Sequence, residues 1–404
     1  MQQMQGAVRS YAWGSRTAIA ELTGRPVPSP HPEAELWMGA HPGDPARILG
    51  PDGPRSLLAA IEENPQFHLG AACRHQFGDR LPYLLKVLAA VEPLSLQAHP
   101  SAQQAKDGFA AEERRSVPRD SPERNYRDEY HKPELLCALT DFDALAGFRR
   151  IDHTVALLTA LNCPQLTHHL ALLAGQPDPQ GLRALFTTWI TLPRSALDKL
   201  LPAVLKSCVD LAERDGEFAA EARTAIELGE RYPGDVGVLA SLLLNRVTLR
   251  AGEAIFLPAG NLHAYLRGVA VEVMANSDNV LRGGLTPKHV DVPELLRVLD
   301  FAAGSVPVLT GSPQGGERVY LTPTREFRLS RLELGPGDVS TMTHLGPQIL
   351  LCTAGEVRLS SGETELLLTK GCSAWSPAGE PSVTAVAGSD GAQVFRVRAG
   401  LDEE

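Results

Sequence analysis

Histidine, glutamate and glutamine side chains at three separated places in the chain could together bind a divalent metal ion. In the segment 94–100, apolar and polar residues alternate, so that in a strand Gln97 and His99 share one face. Glu134 opens an apolar run, and His263 follows a Pro-Ala-Gly turn. Two imidazoles and a carboxylate suit zinc, iron or manganese, and the amide oxygen of Gln97 could add a weaker fourth ligand.

The predicted secondary structure that must position these residues changes along the chain from strands to helices and back to strands. Residues 1 to about 145 contain short apolar runs between turn residues, which predict strands. Apolar residues then recur at helical spacing from 151 to 245, with a helix predicted over 195–211 and Ser195 as its N-cap. Strands and turns return after residue 247. Because the candidate ligands lie on both sides of the helical part, we expect a helical insertion within a mainly β fold.

A short pattern occurs twice and supports the β assignment. The segments 249–260 and 368–379 both read L-x-x-G-x-x-x-[aromatic]-x-P-A-G. In each copy the first glycine permits a turn, a short strand follows, and Pro-Ala-Gly ends that strand. The pattern resembles the strand-turn-strand signature of the cupin β-barrel. Ser382 occupies the position that matches His263, so we expect the second unit to lack the metal site.

The composition excludes several classes of function. The chain has 404 residues and a formal net charge of −10, which opposes binding to nucleic acid or to an anionic membrane. Its six cysteines form no CxxC pair and are interpreted as reduced thiols. No apolar stretch suits a signal peptide or a membrane span, and no glycine-rich nucleotide-binding motif occurs. We therefore expect a cytoplasmic protein without nucleic-acid or membrane partners.

Five segments, taken in order, closely resemble the type I mannose-6-phosphate isomerase (phosphomannose isomerase) family of the cupin superfamily. They are Tyr11-Ala-Trp-Gly-Ser15, Ala34-Glu-Leu-Trp-Met-Gly-Ala-His-Pro42, Pro93-Leu-Ser-Leu-Gln-Ala-His-Pro100, His131-Lys-Pro-Glu134 and Asn276-Ser-Asp-Asn-Val-Leu-Arg-Gly-Gly-Leu-Thr-Pro-Lys-His289. The resemblance implies two cupin-type jelly-roll barrels and a helical domain. It divides the chain into a catalytic cupin (1–147 and 247–312), an inserted helical domain (148–246) and a C-terminal cupin without a metal site (313–404).

The resemblance also implies an activity and a cofactor. The expected reaction interconverts mannose 6-phosphate and fructose 6-phosphate by proton transfer through an enediolate, in a monomer that holds one zinc ion. The implied metal ligands are Gln97, His99, Glu134 and His263. Lys132 is the first candidate for proton transfer, because burial beside a divalent cation favours the neutral amine. Glu272 is the alternative base.

The remaining candidates are predicted to bind the substrate. Arg282 is expected to hold the enediolate oxygens or to clamp the phosphate, and we favour the first role. Gly283 and Gly284 follow it and permit a close approach of the backbone to a ligand. His41 is interpreted as structural or solvated. The other predicted contacts comprise phosphate donors (Lys86, Ser95 and Lys288), ring-opening candidates (His131 and Asp278) and further pocket residues (Trp13, Glu35 and Tyr265).

Two other classes of function fit part of this pattern. His99, Glu134 and His263 could form the two-histidine, one-carboxylate triad of an iron oxygenase. The fold could also bind a sugar phosphate without turning it over. The cations directed at a phosphate argue against the oxygenase, and the presence of Lys132 and Arg282 beside all four ligands argues against a silent protein.

Overall fold

The computed structural model describes residues 1–51, 53–343 and 345–401. The strands of this part, in chain order, are β1 (Gln2–Gln5), β2 (Ala7–Arg9), β3 (Glu35–Met38), β4 (Arg47–Gly50), β5 (Gly53–Ser56), β6 (Tyr83–Ala90), β7 (Leu96–Ala98), β8 (Glu134–Ala138), β9 (Phe142–Phe148), β10 (Leu244–Leu249), β11 (Ala254–Leu257), β12 (His263–Ala275), β13 (Leu281–Gly284), β14 (Val308–Leu309), β15 (Ser312–Gln314), β16 (Glu317–Tyr320), β17 (Arg328–Leu334), β18 (Val339–Met342), β19 (Gln348–Ser361), β20 (Thr364–Thr369), β21 (Ser373–Ser376) and β22 (Val383–Arg398).

The helices of the same part of the chain are α1 (Ala18–Leu22), α2 (Leu57–Glu63), α3 (Pro65–Phe77), α4 (Ala102–Arg114), α5 (Ile151–Ala160), α6 (Thr167–Gly175), α7 (Pro179–Ile190), α8 (Arg194–Glu213), α9 (Ala219–Arg231), α10 (Gly237–Ser241) and α11 (Val292–Val298). A 3₁₀ turn at Pro164–Leu166 precedes α6. Among the described residues, no helix has the length and hydropathy needed to span a bilayer.

The strands form two antiparallel sheets of eleven strands each. The first sheet contains β2, β3 and β6 to β14, and the second contains β1, β4, β5 and β15 to β22. The predicted mainly β fold with helices is therefore confirmed. The pairings among the described strands close neither sheet into a ring, so the two-barrel form stays a prediction. Since β1, β4 and β5 pair into the sheet of the C-terminal strands, the domain boundaries also stay predictions.

The long strand β12 organises the first sheet around the candidate ligands. Its first half, from His263, pairs with β7 and β9, and its second half pairs with β6 and β8. Gly268 lies between the halves with φ 129°, and a Cβ there would approach Phe142 to 2.6 Å. A larger residue would therefore clash at the point where the strand changes neighbours. This change of neighbours brings His263 next to β7 and the end of β12 next to Glu134.

The helical part lies between β9 and β10 and packs behind the strand that carries Gln97 and His99. Leu96 and Ala98 of β7 are buried in the same apolar cluster as the leucines of α5 to α10. The predicted stripe on α8 is confirmed, with Leu197, Leu201 and Leu211 among its buried residues. The predicted cap at Ser195 is wrong, because α8 begins one residue earlier and Pro193, which has no capping side chain, precedes it.

The two copies of the repeated pattern adopt the same local structure. Gly252 and Gly371 have φ values of 86° and 83°, which favour glycine, and β11 and β21 begin two residues later in each case. Ser382 directly precedes β22, whereas His263 is the first residue of β12. The repeat is therefore a feature of the fold as well as of the sequence.

Candidate metal centre and adjoining cavity

Two histidines and one glutamate meet inside the first sheet. One ligand atom from each of His99, Glu134 and His263 lies within 4.8 Å of the other two, and all three side chains are buried. The Nε2 atoms of His99 and His263 lie 3.2 and 3.3 Å from the two carboxylate oxygens of Glu134. Gln97 pairs with His263 across β7 and β12, which puts its amide beside this cluster.

The hydrogen bonds of the two imidazoles leave their Nε2 atoms available to a metal. Nδ1 of His99 lies 2.7 Å from the carbonyl oxygen of Asn279, and Nδ1 of His263 lies 3.0 Å from that of Asn261. A carbonyl only accepts, so each Nδ1 carries the proton and each Nε2 a lone pair. His99 Nε2 is buried without a hydrogen-bond partner among the described residues. Backbone carbonyls commonly orient metal-binding histidines in this way, so the residues fit a zinc ion.

The charge state of Glu134 suits a metal ligand. Burial would raise the pKa of this carboxyl, but the neighbouring side chains of His99, Lys132 and His263 together hold its pKa well below the usual range. Lys132 Nζ lies 3.4 Å from Glu134 Oε1, and its side chain lines the cavity. The carboxylate is thus ionised and lies beside one ammonium group and two imidazoles.

A second set of charges lies beneath the cavity beside the metal ligands. Lys86 Nζ lies 3.5 Å from Glu35 and 3.3 Å from Glu272, and all three side chains are buried. Burial, partly offset by the charge of Lys86, raises the pKa of Glu272, which accepts a 2.7 Å hydrogen bond from the Tyr265 hydroxyl. Two carboxylates already neutralise Lys86, which argues against the phosphate role predicted for it. Glu35 also accepts a 2.8 Å hydrogen bond from Trp37.

A cavity of about 420 Å³ opens above the ligands, and cations lie around its mouth. Arg282 on β13 pairs with Gln97 across the sheet, and Arg127 and Lys288 line the same cavity. Burial, followed by the charge of Arg127, lowers the pKa of Arg282, and burial with both arginines lowers that of Lys288. None of the three has an ion pair within the described part of the chain. Mutual repulsion of this kind is relieved when an anion binds.

The structure brings most of the predicted site residues to this cavity. Those that line it are Trp13, Glu35, Lys86, Ser95, Gln97, Lys132, Asp278, Arg282 and Lys288. Glu134, His263, Tyr265 and Glu272 line a smaller cavity of about 60 Å³ beneath it, which Gln97 and Lys132 share. Trp13 stacks on Tyr11 with ring centres 5.7 Å apart, so its ring forms part of the wall.

Two sequence-based expectations do not agree with the geometry. His131 faces away from Lys132 and pairs at 2.6 Å with Glu326, outside the residues that line the cavity, so a role in ring opening is not supported. Gly284 has φ 124°, and a Cβ there would lie 2.7 Å from the Cα of Gly237, so the close approach that the structure shows is to the helical part. Alternation along an extended segment explains the first case.

Several residues of the site were not identified from the sequence. Arg127 lines the cavity, and His41, which we interpreted as structural, lies 3.2 Å from Asp278 in the cavity wall. Tyr232 at the end of α9 also lines the cavity and donates a 2.7 Å hydrogen bond to the carbonyl of Pro93. Asn279 is completely buried and connects the segment before His131 to the loop before Arg282. These residues lie in loops or at helix ends, where no periodic pattern marks them.

The fold and the site define a mainly β, metal-binding protein whose cavity carries cations at its mouth. Residues 1–151 match the family model of the phosphomannose isomerase type I catalytic domain. The chain is 42% identical over 389 residues to the mannose-6-phosphate isomerase of Escherichia coli (strain K12), covering 95% of this chain and 96% of that protein. It is 33% identical over 388 residues to that of Homo sapiens, covering 89% and 88%. The chain therefore belongs to the type I phosphomannose isomerase family.

Solved structures agree with this assignment over the whole length. A crystal structure of a phosphomannose isomerase variant from Salmonella typhimurium has 40% sequence identity and a TM-score of 0.91, covering 99% of this chain and 100% of that one. A zinc-bound mannose 6-phosphate isomerase has 39% identity and a TM-score of 0.90, covering 99% of both chains. The similarity therefore extends to both sheets and to the helical part between β9 and β10.

Proposed function

We propose that this protein is a zinc-dependent aldose–ketose isomerase that interconverts mannose 6-phosphate and fructose 6-phosphate. The observation that carries the proposal is the convergence of His99, Glu134 and His263 at the base of a cavity with cations at its mouth. Proteins named mannose-6-phosphate isomerase are similar to the chain over nearly its full length. The charges of the cavity match a substrate with oxygens for a metal at one end and a phosphate at the other.

The zinc ligands in this proposal are Gln97, His99, Glu134 and His263. A bound zinc ion would supply a Lewis acid that polarises carbonyl and hydroxyl oxygens of the open-chain sugar. Backbone carbonyls fix the orientation of both imidazoles, and the buried position of all three charged or ionisable ligands excludes bulk water. Gln97 contributes an amide oxygen, which binds more weakly than a carboxylate.

Proton transfer is assigned to Lys132, with Glu272 as the alternative. The reaction removes a proton from C2 of the aldose and delivers one to C1 of the ketose, and the hydroxyl proton moves between O2 and O1. Lys132 lines the main cavity, where it can reach a sugar carbon. Glu272 is only 2% exposed and is held by Lys86 and Tyr265, so its geometry favours a supporting role. Asp278 and His41 are the remaining candidates near the sugar ring.

The phosphate is assigned to the mouth of the cavity. Arg282 is opposite Gln97 and therefore close to the reacting oxygens, where its planar guanidinium would hold the charge of the enediolate. Lys288 and Arg127, with the Ser95 hydroxyl, are left to bind the phosphate. Trp13, Glu35 and Tyr265 complete the walls and floor.

The architecture in this proposal consists of two cupin-type barrels and an inserted helical domain. Its boundaries are 1–147 with 247–312 for the catalytic cupin, 148–246 for the helices and 313–404 for the second cupin. The helical core that backs β7 and the repeated turn in both sheets support it. We also propose a cytoplasmic monomer that binds no nucleic acid.

A coupled assay with purified protein and mannose 6-phosphate tests the function directly. We expect formation of fructose 6-phosphate, its loss on chelation, and its return when zinc is added. Absence of turnover by the zinc-loaded protein, with sugar phosphate still bound, would show a binding protein instead. Oxygen uptake that requires iron would show an oxygenase.

A pair of matched variants tests the metal centre. His263→Ala should lose most bound zinc and most activity, because one ligand is removed from a small coordination shell. Ser382→Ala, at the matching position of the second repeat, should keep both near wild type. Equal zinc content in the two variants would contradict the assigned ligand set, and loss of zinc in Ser382→Ala would contradict the alignment of the repeat.

A further inference from the structure

The turn between α9 and α10 brings the helical part to the mouth of the main cavity. Tyr232 and Asp235 lie in this turn, and Tyr232 lines the cavity. From the first sheet, the 285–288 segment that follows β13 lines the same cavity. Lys288, which we assigned to the phosphate, is the last residue of this segment. The mouth is therefore formed where a turn of the helical part meets a segment of the first sheet.

The Asp235 carboxylate connects these two parts of the chain through three hydrogen bonds. Its Oδ1 atom accepts from the backbone N–H groups of Gly237 at 2.7 Å and of Leu285 at 2.9 Å. Its Oδ2 atom accepts from the N–H group of Thr286 at 3.1 Å. Hydrogen bonds to an ionised acceptor are stronger than those between neutral groups. One side chain of the helical part thus holds two consecutive amides of the segment that leads to Lys288.

Leu285 has a backbone conformation that needs support from its surroundings. Its φ is 55°, in the left-handed region that a leucine rarely adopts. Its side chain is 1% exposed and belongs to the apolar cluster of the helical part. Burial of the leucine and the hydrogen bond to Asp235 together hold a conformation that is unfavourable by itself. The helical part therefore determines the path of the chain at the start of the 285–288 segment.

The backbones of the two parts are also in direct contact. A Cβ at Gly237 would lie 2.6 Å from the backbone nitrogen of Leu285, and a Cβ at Gly284 would lie 2.9 Å from Oδ1 of Asp235. Neither position can hold a larger residue without a shift of the backbone. Since no side chain separates the two backbones, a displacement of the Asp235 turn is passed directly to the 285–288 segment.

These contacts reach Lys288 but leave Arg282 to the sheet. The N–H group of Lys288 donates to the Thr286 hydroxyl at 3.1 Å, so the position of Lys288 depends on that of Thr286. Arg282 lies within β13, where pairing with Gln97 fixes its backbone. Asp235 therefore acts on the cation assigned to the phosphate and leaves the cation assigned to the enediolate in place.

We propose that Asp235 is a positioning residue that fixes Lys288 at the phosphate end of the cavity. The helical part thus takes part in substrate binding, although all the assigned metal ligands lie outside it. The inference rests on the proposed isomerase function, because it uses the assignment of Lys288 to the phosphate of the sugar. Its consequence is a separation of two effects: loss of the Asp235 carboxylate weakens binding of the phosphorylated substrate and spares the chemical step.

Steady-state kinetics of Asp235→Asn, in the zinc-loaded full chain with mannose 6-phosphate, test this role. Asparagine keeps the size of the side chain, but whichever way its amide is turned, an NH₂ group faces a backbone N–H donor. KM should rise about tenfold, as expected for a displaced charge-assisted hydrogen bond, while kcat stays within about twofold of the native value. Zinc content should match that of the native chain, because the substitution touches none of the assigned ligands.

Asp178→Asn is the matched control for the loss of a capping carboxylate. Asp178 also lies in the helical part and accepts hydrogen bonds from two backbone N–H groups, those of Gln180 and Gly181, at the start of α7. Among the described residues that line the main cavity, none of these three occurs. We therefore expect Asp178→Asn to keep the native KM, kcat and zinc content.

A double variant tests whether Asp235 acts through Lys288. In the Lys288→Gln background, adding Asp235→Asn should change KM by less than about twofold, because the cation that Asp235 positions is already absent. Amide hydrogen exchange reports on the same contact without reference to activity. The Thr286 amide should exchange about tenfold faster in Asp235→Asn than in Asp178→Asn, because it has lost its acceptor.

Several outcomes would overturn the proposal. An unchanged KM in Asp235→Asn, or the same tenfold rise in the Lys288→Gln background, contradicts the positioning of Lys288. Equal exchange of the Thr286 amide in the two single variants shows that the carboxylate does not hold the segment. A fall in kcat together with loss of zinc, at unchanged KM, shows a general structural role instead.

Failure of the proposed function is recognised separately, because it is seen in the native chain as absence of turnover. In that case the dissociation constant of mannose 6-phosphate, measured by titration calorimetry, replaces KM in the same comparisons, with the same expected changes. A native chain that also fails to bind this sugar phosphate overturns the inference together with the function.

Discussion

Replacing Asn279 should loosen the active site and weaken metal binding at the same time. Its side-chain oxygen accepts hydrogen bonds from the backbone N–H groups of Arg127 and Asp128, at 2.7 and 3.2 Å. Its side-chain nitrogen donates to the carbonyls of Asp128 and Tyr130 and to the Asp128 carboxylate. Its own carbonyl orients His99. Asn279 thus connects Arg127, which is a phosphate-binding candidate, with the segment before Lys132 and with the metal ligand His99.

The size of the effect of Asn279→Ala follows from this inventory. Five hydrogen bonds at about 1 kcal/mol each give an upper limit near 5 kcal/mol, and water that enters the loop reduces it to about 3–4 kcal/mol. Because the chain has several structural units, the effect is measured locally and not as one unfolding transition. A local loss of that size speeds amide exchange about 10²- to 10³-fold. Displacement of the Asn279 carbonyl, which orients the His99 imidazole, should also lower zinc affinity about 10- to 100-fold.

Hydrogen exchange at the amides of Arg127 and Asp128 and zinc competition with a chelator measure the two effects. Asn276→Ala is the control, because the side chain of this neighbouring asparagine donates one 3.3 Å hydrogen bond to the carbonyl of Leu81 and, among the described residues, none to the 127–130 segment. Equal exchange rates of these amides in the two variants would contradict the predicted role of Asn279, and this role is the prediction tested. It is also refuted if both variants keep wild-type zinc affinity.

Two further predictions concern the cations at the mouth of the cavity. Arg282→Ala should lower kcat about 100-fold or more with little change in KM and with zinc content intact, as expected for a donor to the enediolate. A rise in KM larger than the fall in kcat would assign Arg282 to the phosphate instead. Unchanged kinetics would exclude both roles. Burial and the charges of Arg282 and Arg127 lower the pKa of Lys288, so its charge is lost at a lower pH than that of an ordinary lysine. KM for mannose 6-phosphate should therefore rise as the pH increases through this lowered pKa, and the rise should be absent in Lys288→Arg; a flat KM in the native enzyme up to the usual lysine range would contradict the assignment.

The sequence predicts those parts of the site that depend on local patterns. The alternation around Gln97 and His99 is visible within seven residues. In the structure Leu96 and Ala98 pack on the helical part and Gln97 lines the cavity as expected, whereas Leu94 also lines the cavity. The meeting of Glu134 with His263 is not a local property, because it depends on β12 changing neighbours at Gly268. The residue types suggest a shared metal ion but do not place the three segments together, and the family resemblance supports that placement.

The residues that the sequence did not identify are placed by long-range contacts. Arg127 reaches the cavity because Asn279, about 150 positions away, holds its backbone. The strands β1, β4 and β5 join the second sheet through pairings with β21 and with one another, which no pattern near the N-terminus indicates. Loop positions and sheet partners of this kind depend on the whole fold and have no periodicity of their own.

The two ends of the main cavity have opposite electrostatic character, and this difference explains how an acidic protein can select a phosphorylated substrate. The formal net charge of −10 repels anions at long range. Glu35, Glu134 and Glu272 lie at the deep end, where Lys86 and Lys132 are already paired with these carboxylates and the proposed zinc ion would bind oxygens of the sugar. At the mouth, by contrast, Arg127 and Lys288 have no carboxylate partner among the described residues. We therefore expect a sugar phosphate to bind with its phosphate at the mouth and its carbonyl end at the metal ligands, which is the orientation that isomerisation requires.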